Sequence, residues 1–145
     1  SDFQFAAAIG IDGGAAEYSA GMRPFTDAEL SRIRVPKLFH FQGLSSVISA
    51  SQMAARMQAM GKPLDFLYFH TASHTTERPQ HRLRSLGTSV DWWRFWLKSE
   101  EDTDPAKAEQ YKFWRKLRSQ KAALIDDRRT AEEKVADLPA RKTRE

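Results

Sequence analysis

The chain has 145 residues, enough for one domain and too few for two, and its 41% hydrophobic and 29% charged residues exclude wholesale disorder. It has no cysteine, which excludes disulfides, thiolate metal sites and a cysteine nucleophile, and its longest apolar run, FQFAAAIGI, is far shorter than the ~20 residues of a membrane span. The net charge of +4 does not indicate nucleic-acid binding, because the basic residues of the last third alternate with acidic ones, as on a solvated helix face.

The first third of the chain predicts two buried strands separated by a short helix. The run FQFAAAIGI, residues 3–11, is small and apolar and leads into glycines, as a buried strand running into a loop does. Those glycines lack the G-x-G-x-x-G spacing, which excludes a dinucleotide-binding loop. In TDAELSRI, Thr26 followed by Glu29 predicts a capping box. The run VPKLFHFQG predicts the second strand.

The middle of the chain predicts a strand-helix-strand unit. Apolar residues recur at helical spacing from Ser49 to Met60, and Gly61 and Pro63 predict the end of that helix. The run PLDFLYFH predicts a third strand. Short connections favour parallel strands joined by a right-handed crossover. The predicted fold class is therefore α/β, with three parallel strands and flanking helices.

The last part of the chain predicts two helices that carry aromatic side chains. The first begins after Pro79 and the second at Asp104 and Pro105, as N-cap and first helical residue, running toward Leu124. From about Arg128 the pattern thins, and we expect the last ten residues to be frayed or disordered. The first helix holds Trp92, Trp93, Phe95 and Trp96. Aromatic residues at helical spacing favour core packing over ligand or nucleotide stacking.

Four histidines are candidates for chemistry. His74 lies in a polar loop just past the carboxyl end of the third predicted strand, where open α/β sheets place their functional groups. His40 lies between two phenylalanines of a strand, which indicates a hydrogen-bonded interior residue or a change of the buried face. His81 is expected to cap or pack. His70 and His74 are four residues apart, but no carboxylate ligand pattern accompanies them, so no metal site is expected.

The order of strand, helix, final strand, histidine loop and closing helix resembles the last third of an α/β-hydrolase. The segments PKLFHFQG, MAARMQAMGKPLDFLYFHTASHTTERPQHRL and DWWRFWLKSEEDTDPAKAEQYKFWRKLR resemble the C-terminal end of prolyl-oligopeptidase-like serine peptidases, and within them the lasso-peptide isopeptidases most. The resemblance spans Phe3 to Arg118. It implies a partial α/β-hydrolase catalytic domain in residues 1–118, followed by a charged helical tail in residues 119–145.

By this resemblance, His74 is the catalytic histidine, which takes the proton of a serine hydroxyl and returns it to the leaving amine. In that family the serine lies in a G-x-S-x-G elbow; the nearest sequence here, EYSAG around Ser19, has Glu17 in place of the first glycine. We therefore expect the nucleophile, and the start of the gene product, upstream of these residues. The family's triad aspartate corresponds to Ser45 or Ser46, in the predicted loop GLSSVIS.

Two hypotheses of function follow. The first is a fragment of a serine-type peptidase that hydrolyses peptide or isopeptide bonds, with a peptide substrate and an upstream polypeptide carrying the nucleophile as partners. The second is a non-catalytic remnant or interaction module that associates through its open sheet edge. No cofactor, metal, nucleic acid or membrane is expected in either case. The compartment stays open, with a slight preference for the cytoplasm.

Overall fold

The computed structural model describes residues 7–11, 25–71 and 78–136 of the chain. These residues form three strands, four α-helices, a π-helical turn that extends α3 and a 3₁₀ turn that precedes α4. In chain order the elements are β1 Ala8–Ile11, α1 Asp27–Ser31, β2 Lys37–Gln42, α2 Gly43–Ala59, β3 Leu64–Phe69, α3 Pro79–Trp93, the π-helical turn Arg94–Lys98, the 3₁₀ turn Pro105–Lys107 and α4 Ala108–Ala136. Within these described ranges, no helix is long and apolar enough to cross a membrane.

The three strands form one parallel sheet in the order β1-β2-β3. Ile9 of β1 lies beside Leu38 of β2, which lies beside Asp65 of β3. The helix α2 joins two neighbouring parallel strands, as the sequence predicted for this unit. The prediction of three parallel strands with flanking helices is confirmed.

Helices cover both faces of β2, because a parallel sheet with crossover helices is buried on both sides. On one face, Phe39 and Phe41 pack with Leu30 of α1 and with Met53 and Met57 of α2. On the other face, Leu38 packs with four fully or almost fully buried aromatic side chains of the last helices: Trp92, Phe95, Tyr111 and Trp114. The aromatic residues therefore form core, as the sequence predicted.

Local capping signals in the sequence form as expected. The backbone N–H of Glu29 donates to the hydroxyl of Thr26 over 3.2 Å, and the Thr26 N–H donates to the Glu29 carboxylate over 2.8 Å, which completes the capping box of α1. At the 3₁₀ turn, the Asp104 carboxylate accepts the N–H of Ala106 over 2.9 Å. Both helix starts are therefore fixed by neighbouring residues alone.

The boundaries of two helices differ from the prediction. Helix α2 begins at Gly43, six residues before the predicted start at Ser49. Helix α4 is continuous to Ala136, so the predicted division between residues 118 and 119 falls inside it, and the assignment of two segments stays a prediction. The predicted frayed end beyond Ala136 lies outside the described residues.

A partly buried ion pair joins α3 to the turn before α4. The Lys107 ammonium lies 2.8 Å from the carboxylate of Asp91 and 2.7 Å from that of Asp102, and Asp91 is almost fully buried. The hydrogen bond to Asp102, followed by the one to Asp91, raises the pKa of Lys107 well above its usual range. The Lys107 ammonium thus compensates the charge that α3 buries at Asp91.

A second polar contact joins α4 to the sheet. The indole N–H of Trp114 donates to the carboxylate of Asp65 over 2.6 Å, next to the core aromatic cluster. Burial raises the pKa of the Asp65 carboxyl, and the Trp114 hydrogen bond opposes this rise by stabilising the charged form. Further along α4, Arg118 donates to the backbone oxygen of Phe95 and lies 3.7 Å from the centre of its ring. These contacts hold α4 against β3 and the π-helical turn.

We expect Trp114→Phe to lower the free energy of unfolding by about 2 kcal/mol, because it removes the indole donor and leaves the Asp65 carboxylate partly buried without it. Urea unfolding followed by circular dichroism measures this. The matched control is Phe113→Leu, whose side chain is 40% exposed and whose effect should stay within about 0.5 kcal/mol. Equal unfolding midpoints for the two variants would show that the contact is not stabilising.

Candidate active site

The carboxyl ends of the three strands lie at the same edge of the sheet, because all strands are parallel. β1 ends at Ile11, β2 at Gln42 and β3 at Phe69. In open parallel sheets this edge carries the binding and catalytic groups of the connecting loops. The loop after β3 runs from here to the start of α3 and contains His74, which lies outside the described residues together with the rest of 72–77.

The two ends of this histidine loop are fixed by the residues on either side of it. Phe69 is buried at the end of β3, and His70 and Thr71 are exposed after it. On the far side, the Arg78 guanidinium donates to the Thr71 hydroxyl over 3.1 Å, and Pro79 begins α3. Thr71 and Arg78, the described residues that flank the loop, are therefore held close together next to the end of β3.

The turn after β2 is tighter than the sequence predicted. Gly43 has φ 72°, a left-handed conformation that glycine adopts without steric cost, and α2 starts at this residue. The predicted loop GLSSVIS is wrong, because one glycine reverses the chain direction and the helix follows at once. Ser45 and Ser46, one of which corresponds to the family's triad aspartate by the resemblance, both belong to the first turns of α2.

Two glycine substitutions should have opposite effects on stability. Gly43→Ala forces a side chain into left-handed backbone and should destabilise the fold by about 1–2 kcal/mol. Gly87→Ala lies inside α3, where an added Cβ meets nothing within 4 Å, and should stabilise the fold by up to about 1 kcal/mol. Thermal unfolding of the two variants gives the comparison. Stabilisation by both substitutions would contradict the left-handed turn at Gly43.

His40 is a structural residue beneath this edge. Its side chain is fully buried in β2, and its Nδ1 shares a 2.8 Å hydrogen bond with the Ser85 hydroxyl of α3. Its ring packs edge-on against Phe69, with 6.3 Å between ring centres. Burial lowers the pKa of His40 from 6.5 to about 4, so the imidazole is neutral at neutral pH. The prediction of a hydrogen-bonded interior histidine is confirmed; the sequence did not indicate Ser85 as its partner.

The remaining described histidines are also not arranged as metal ligands. His81, in the first turns of α3, packs on Phe69 with 5.2 Å between ring centres, which agrees with the prediction that it packs. His70 is exposed and lies 6.2 Å from the ring centre of Tyr68. Across residues 7–11, 25–71 and 78–136, no group of three metal-ligating side chains comes together.

The buried state of His40 predicts a pH dependence of stability. Below pH 6.5 the unfolded chain binds a proton at this imidazole, whereas the folded chain binds it only below about 4. As the pH falls from 6.5 toward 4, the free energy of unfolding should therefore decrease by up to about 3 kcal/mol. Urea unfolding across this range measures the loss.

His40→Gln should flatten this pH dependence, because no group at position 40 then titrates. Asp65, whose pKa is raised by burial, is present in both proteins, so its titration cancels in their difference. His70→Gln removes an exposed histidine and serves as the control that retains the parent profile. Parallel profiles for the parent and His40→Gln would contradict a neutral buried imidazole.

An apolar groove of about 190 Å³ lies on the α2 side of the sheet. Phe41 and Ala54 line its floor and helix side, and Phe66 and Tyr68 of the edge strand β3 line the other side. Both β3 side chains are exposed, by 48% and 42%. The groove lies on the opposite side of the sheet from the aromatic cluster of α3 and α4.

Comparisons with known proteins identify a relative for this architecture. No family model matches the chain. The lasso peptide isopeptidase AtxE2 of Asticcacaulis excentricus is 38% identical over 63 residues, which cover 43% of this chain and 9% of that protein. Two solved structures of AtxE2 isopeptidase cover 65% of this chain: a variant with Astexin3-dC4 bound, at 30% identity and a TM-score of 0.60, and the apo form, at 29% and 0.57.

The match covers a small part of the relative, because this chain spans only 14% of each solved AtxE2 chain. Over the aligned residues, this chain and AtxE2 have similar backbones and about 30% identical sequences. The similarity is therefore one of sequence as well as of fold. The predicted resemblance to lasso-peptide isopeptidases is confirmed. The chain is homologous to part of the lasso peptide isopeptidase AtxE2, a prolyl-oligopeptidase-family enzyme, and its parallel sheet matches an α/β-hydrolase-type fold.

Proposed function

We propose that the chain is the C-terminal part of a serine-type peptidase domain that hydrolyses peptide or isopeptide bonds. The observation that carries this proposal is the similarity of this chain to AtxE2 isopeptidase in both sequence and backbone. The matched AtxE2 structure has Astexin3-dC4 bound. A histidine loop at the carboxyl edge of a parallel sheet supports it, because this edge is where such enzymes place their catalytic groups. The substrate class is accordingly a peptide.

In this proposal His74 is the general base and acid of the reaction. Its imidazole takes the proton of a serine hydroxyl as the serine attacks the carbonyl carbon, and returns it to the leaving amine. No G-x-S-x-G elbow occurs in the 145 residues, so the nucleophile and the oxyanion-binding N–H groups belong to another segment. What this chain contributes is the sheet edge and the loop that present the imidazole.

The orienting acid is the weakest part of this catalytic arrangement. By the resemblance, Ser45 or Ser46 corresponds to the family's aspartate, and a hydroxyl brings no negative charge to stabilise an imidazolium. Replacing the aspartate by a neutral group lowers kcat by about 10⁴ in the well-studied triad. We therefore propose a slow enzyme, unless a carboxylate from another segment contacts His74.

Labelling of the full-length gene product with a fluorescent fluorophosphonate tests this function, because the reagent reacts with serines that a histidine activates. The parent should be labelled, and His74→Ala should be labelled at least about 10³-fold more slowly. His70→Ala, four residues earlier on the exposed end of the same loop, should be labelled like the parent. The 145 residues alone should not be labelled.

Two results would refute the peptidase proposal. One is a folded full-length protein that is not labelled at all. The other is equal labelling of His74→Ala and the parent, which would place the activating base elsewhere. Loss of labelling in His70→Ala together with His74→Ala would indicate a damaged loop, so circular dichroism of each variant accompanies the measurement.

The second candidate function is a non-catalytic module that pairs through a sheet edge. Within the described ranges, β1 and β3 each pair only with β2, which leaves two edges. At β3 the Asp65 carboxylate accepts the N–H of Phe66 over 2.8 Å and so occupies a donor of that strand, a means of discouraging strand addition. The edge of β1 is the better candidate. A folded protein without fluorophosphonate reactivity would favour this second function.

A further inference from the structure

The first half of α3 has little apolar packing against the sheet. In residues 79–88, the buried side chains are those of Ser85 and Thr88, and both are polar. The two leucines of this half, Leu83 and Leu86, are exposed by 76% and 58%. The second half differs, because its tryptophans contribute to the aromatic cluster. Apolar packing therefore fixes the far end of α3, and the end next to the histidine loop depends on other contacts.

One hydrogen bond joins this first half of α3 to the middle strand of the sheet. The Ser85 hydroxyl lies 2.8 Å from Nδ1 of His40 in β2, and both side chains are buried. A hydroxyl donates as well as accepts, so either tautomer of the neutral imidazole makes this bond. Nε2 of His40 is also buried and has no hydrogen-bond partner within residues 7–11, 25–71 and 78–136. In this part of the chain, the Ser85 hydroxyl is thus the polar group that orients the ring.

The His40 ring also connects the two elements that flank the histidine loop. It packs edge-on against Phe69, the last residue of β3. Phe69 packs in turn on His81, in the first turns of α3. About one helical turn further along α3, Ser85 returns to His40. The end of β3 and the start of α3 are therefore both held by a single side chain of β2.

We propose that His40 and Ser85 are positioning residues for the active site, because their hydrogen bond sets where α3 begins relative to the carboxyl edge of the sheet. This role rests on the proposed peptidase function. His74 precedes Arg78 by four residues, so a displaced start of α3 displaces the chain that carries the proposed base. A misplacement of about 1 Å, even one that arises far from the reacting atoms, lowers a rate by about 100-fold.

A buried polar pair suits this role better than apolar side chains would. Apolar residues of the same shape give nearly the same stability as a hydrogen-bonded pair. They tolerate small shifts, however, whereas a shift of the polar pair leaves buried groups without a partner. The bond between Ser85 and His40 therefore favours one position of α3 where the apolar packing of this helix is sparse.

Two substitutions of His40 separate the hydrogen bond from the imidazole itself. The amide of an asparagine side chain reaches about as far as Nδ1, so His40→Asn retains a group that bonds Ser85. The longer glutamine places its amide near the position of Nε2, so His40→Gln loses this bond. Ser85→Ala removes the other partner and should behave like His40→Gln. The matched control is Thr88→Ala, which truncates a buried polar side chain of the same helix and leaves the bond intact.

Hydrogen exchange of the full-length gene product, followed by mass spectrometry, tests the position of α3 without measuring activity. Backbone amides of residues 79–86 should exchange at least about tenfold faster in His40→Gln and Ser85→Ala than in the parent, because the start of the helix is less firmly held. His40→Asn and Thr88→Ala should exchange like the parent. Equal exchange in all five proteins would overturn the proposal.

Fluorophosphonate labelling of the same proteins tests the consequence for the active site. The saturating rate of labelling should fall by about 10- to 100-fold in His40→Gln and Ser85→Ala. The reagent concentration that gives half of this rate should stay unchanged, because neither residue touches the reagent. His40→Asn and Thr88→Ala should be labelled like the parent. Lower stability alone would reduce the fraction of protein that is labelled and not the rate for folded molecules.

Three results with a labelled parent would overturn the positioning role. Labelling of His40→Gln as fast as that of the parent would show that the bond does not affect the site. Equal slowing of His40→Asn and His40→Gln would mean that the imidazole is needed rather than the bond to Ser85. Equal slowing of Thr88→Ala and Ser85→Ala would indicate a general loosening of α3. An unlabelled parent is a different result, since it refutes the peptidase function itself and the positioning role with it.

Discussion

The burial of β2 on both faces is the constraint on which the rest of the structure depends. A parallel strand needs crossover helices, and these must cover both sides of the sheet. On one face of β2, Phe39 and Phe41 pack against α1 and α2. On the other face, Leu38 packs with the aromatic side chains of the last helices, and His40 is hydrogen-bonded to α3. In the part of the chain that the structure describes, both faces of β2 are thus covered, and the three strands end at one common edge. The histidine loop leaves from one of these ends.

The C-terminal segment that carries much of the resemblance to isopeptidases has a structural explanation. Asp104 caps the 3₁₀ turn, Lys107 compensates the buried charge of Asp91, and Trp114 donates to Asp65 of the edge strand. Asp104 and Lys107 thus fix the start of α4 and its contact with α3, and Trp114 fixes α4 to the sheet. Helix α3 begins where the histidine loop ends. The segment therefore holds in place α3, the helix that follows the histidine loop.

The sequence predicted those features that depend on neighbouring residues. The capping box of Thr26 and Glu29 and the N-cap at Asp104 are local patterns, and the three strands follow from apolar runs between turn residues. Contacts between distant residues were not predictable in this way. Trp114 and Asp65 are 49 positions apart, and only the folded sheet brings them together.

The candidate site, too, has some features that neighbouring residues predict and others that depend on the fold. That the loop of His74 follows the last parallel strand was predictable from the order of elements, and the structure places both ends of that loop at the carboxyl edge. The early start of α2 was not predictable, because the three serines of LSSVIS favour a turn or loop and the sequence does not show that Gly43 adopts a left-handed conformation. The pairing of His40 with Ser85, 45 positions away, again needed the fold.

A crystal structure of the full-length gene product after reaction with a fluorophosphonate is the most direct measurement of the central claim, that the loop after β3 presents a catalytic imidazole. The account predicts Nε2 of His74 within about 3 Å of the oxygen of the modified serine, at the carboxyl edge of the sheet. A His74 ring packed into the interior, or a modified serine beside a different histidine, would contradict it.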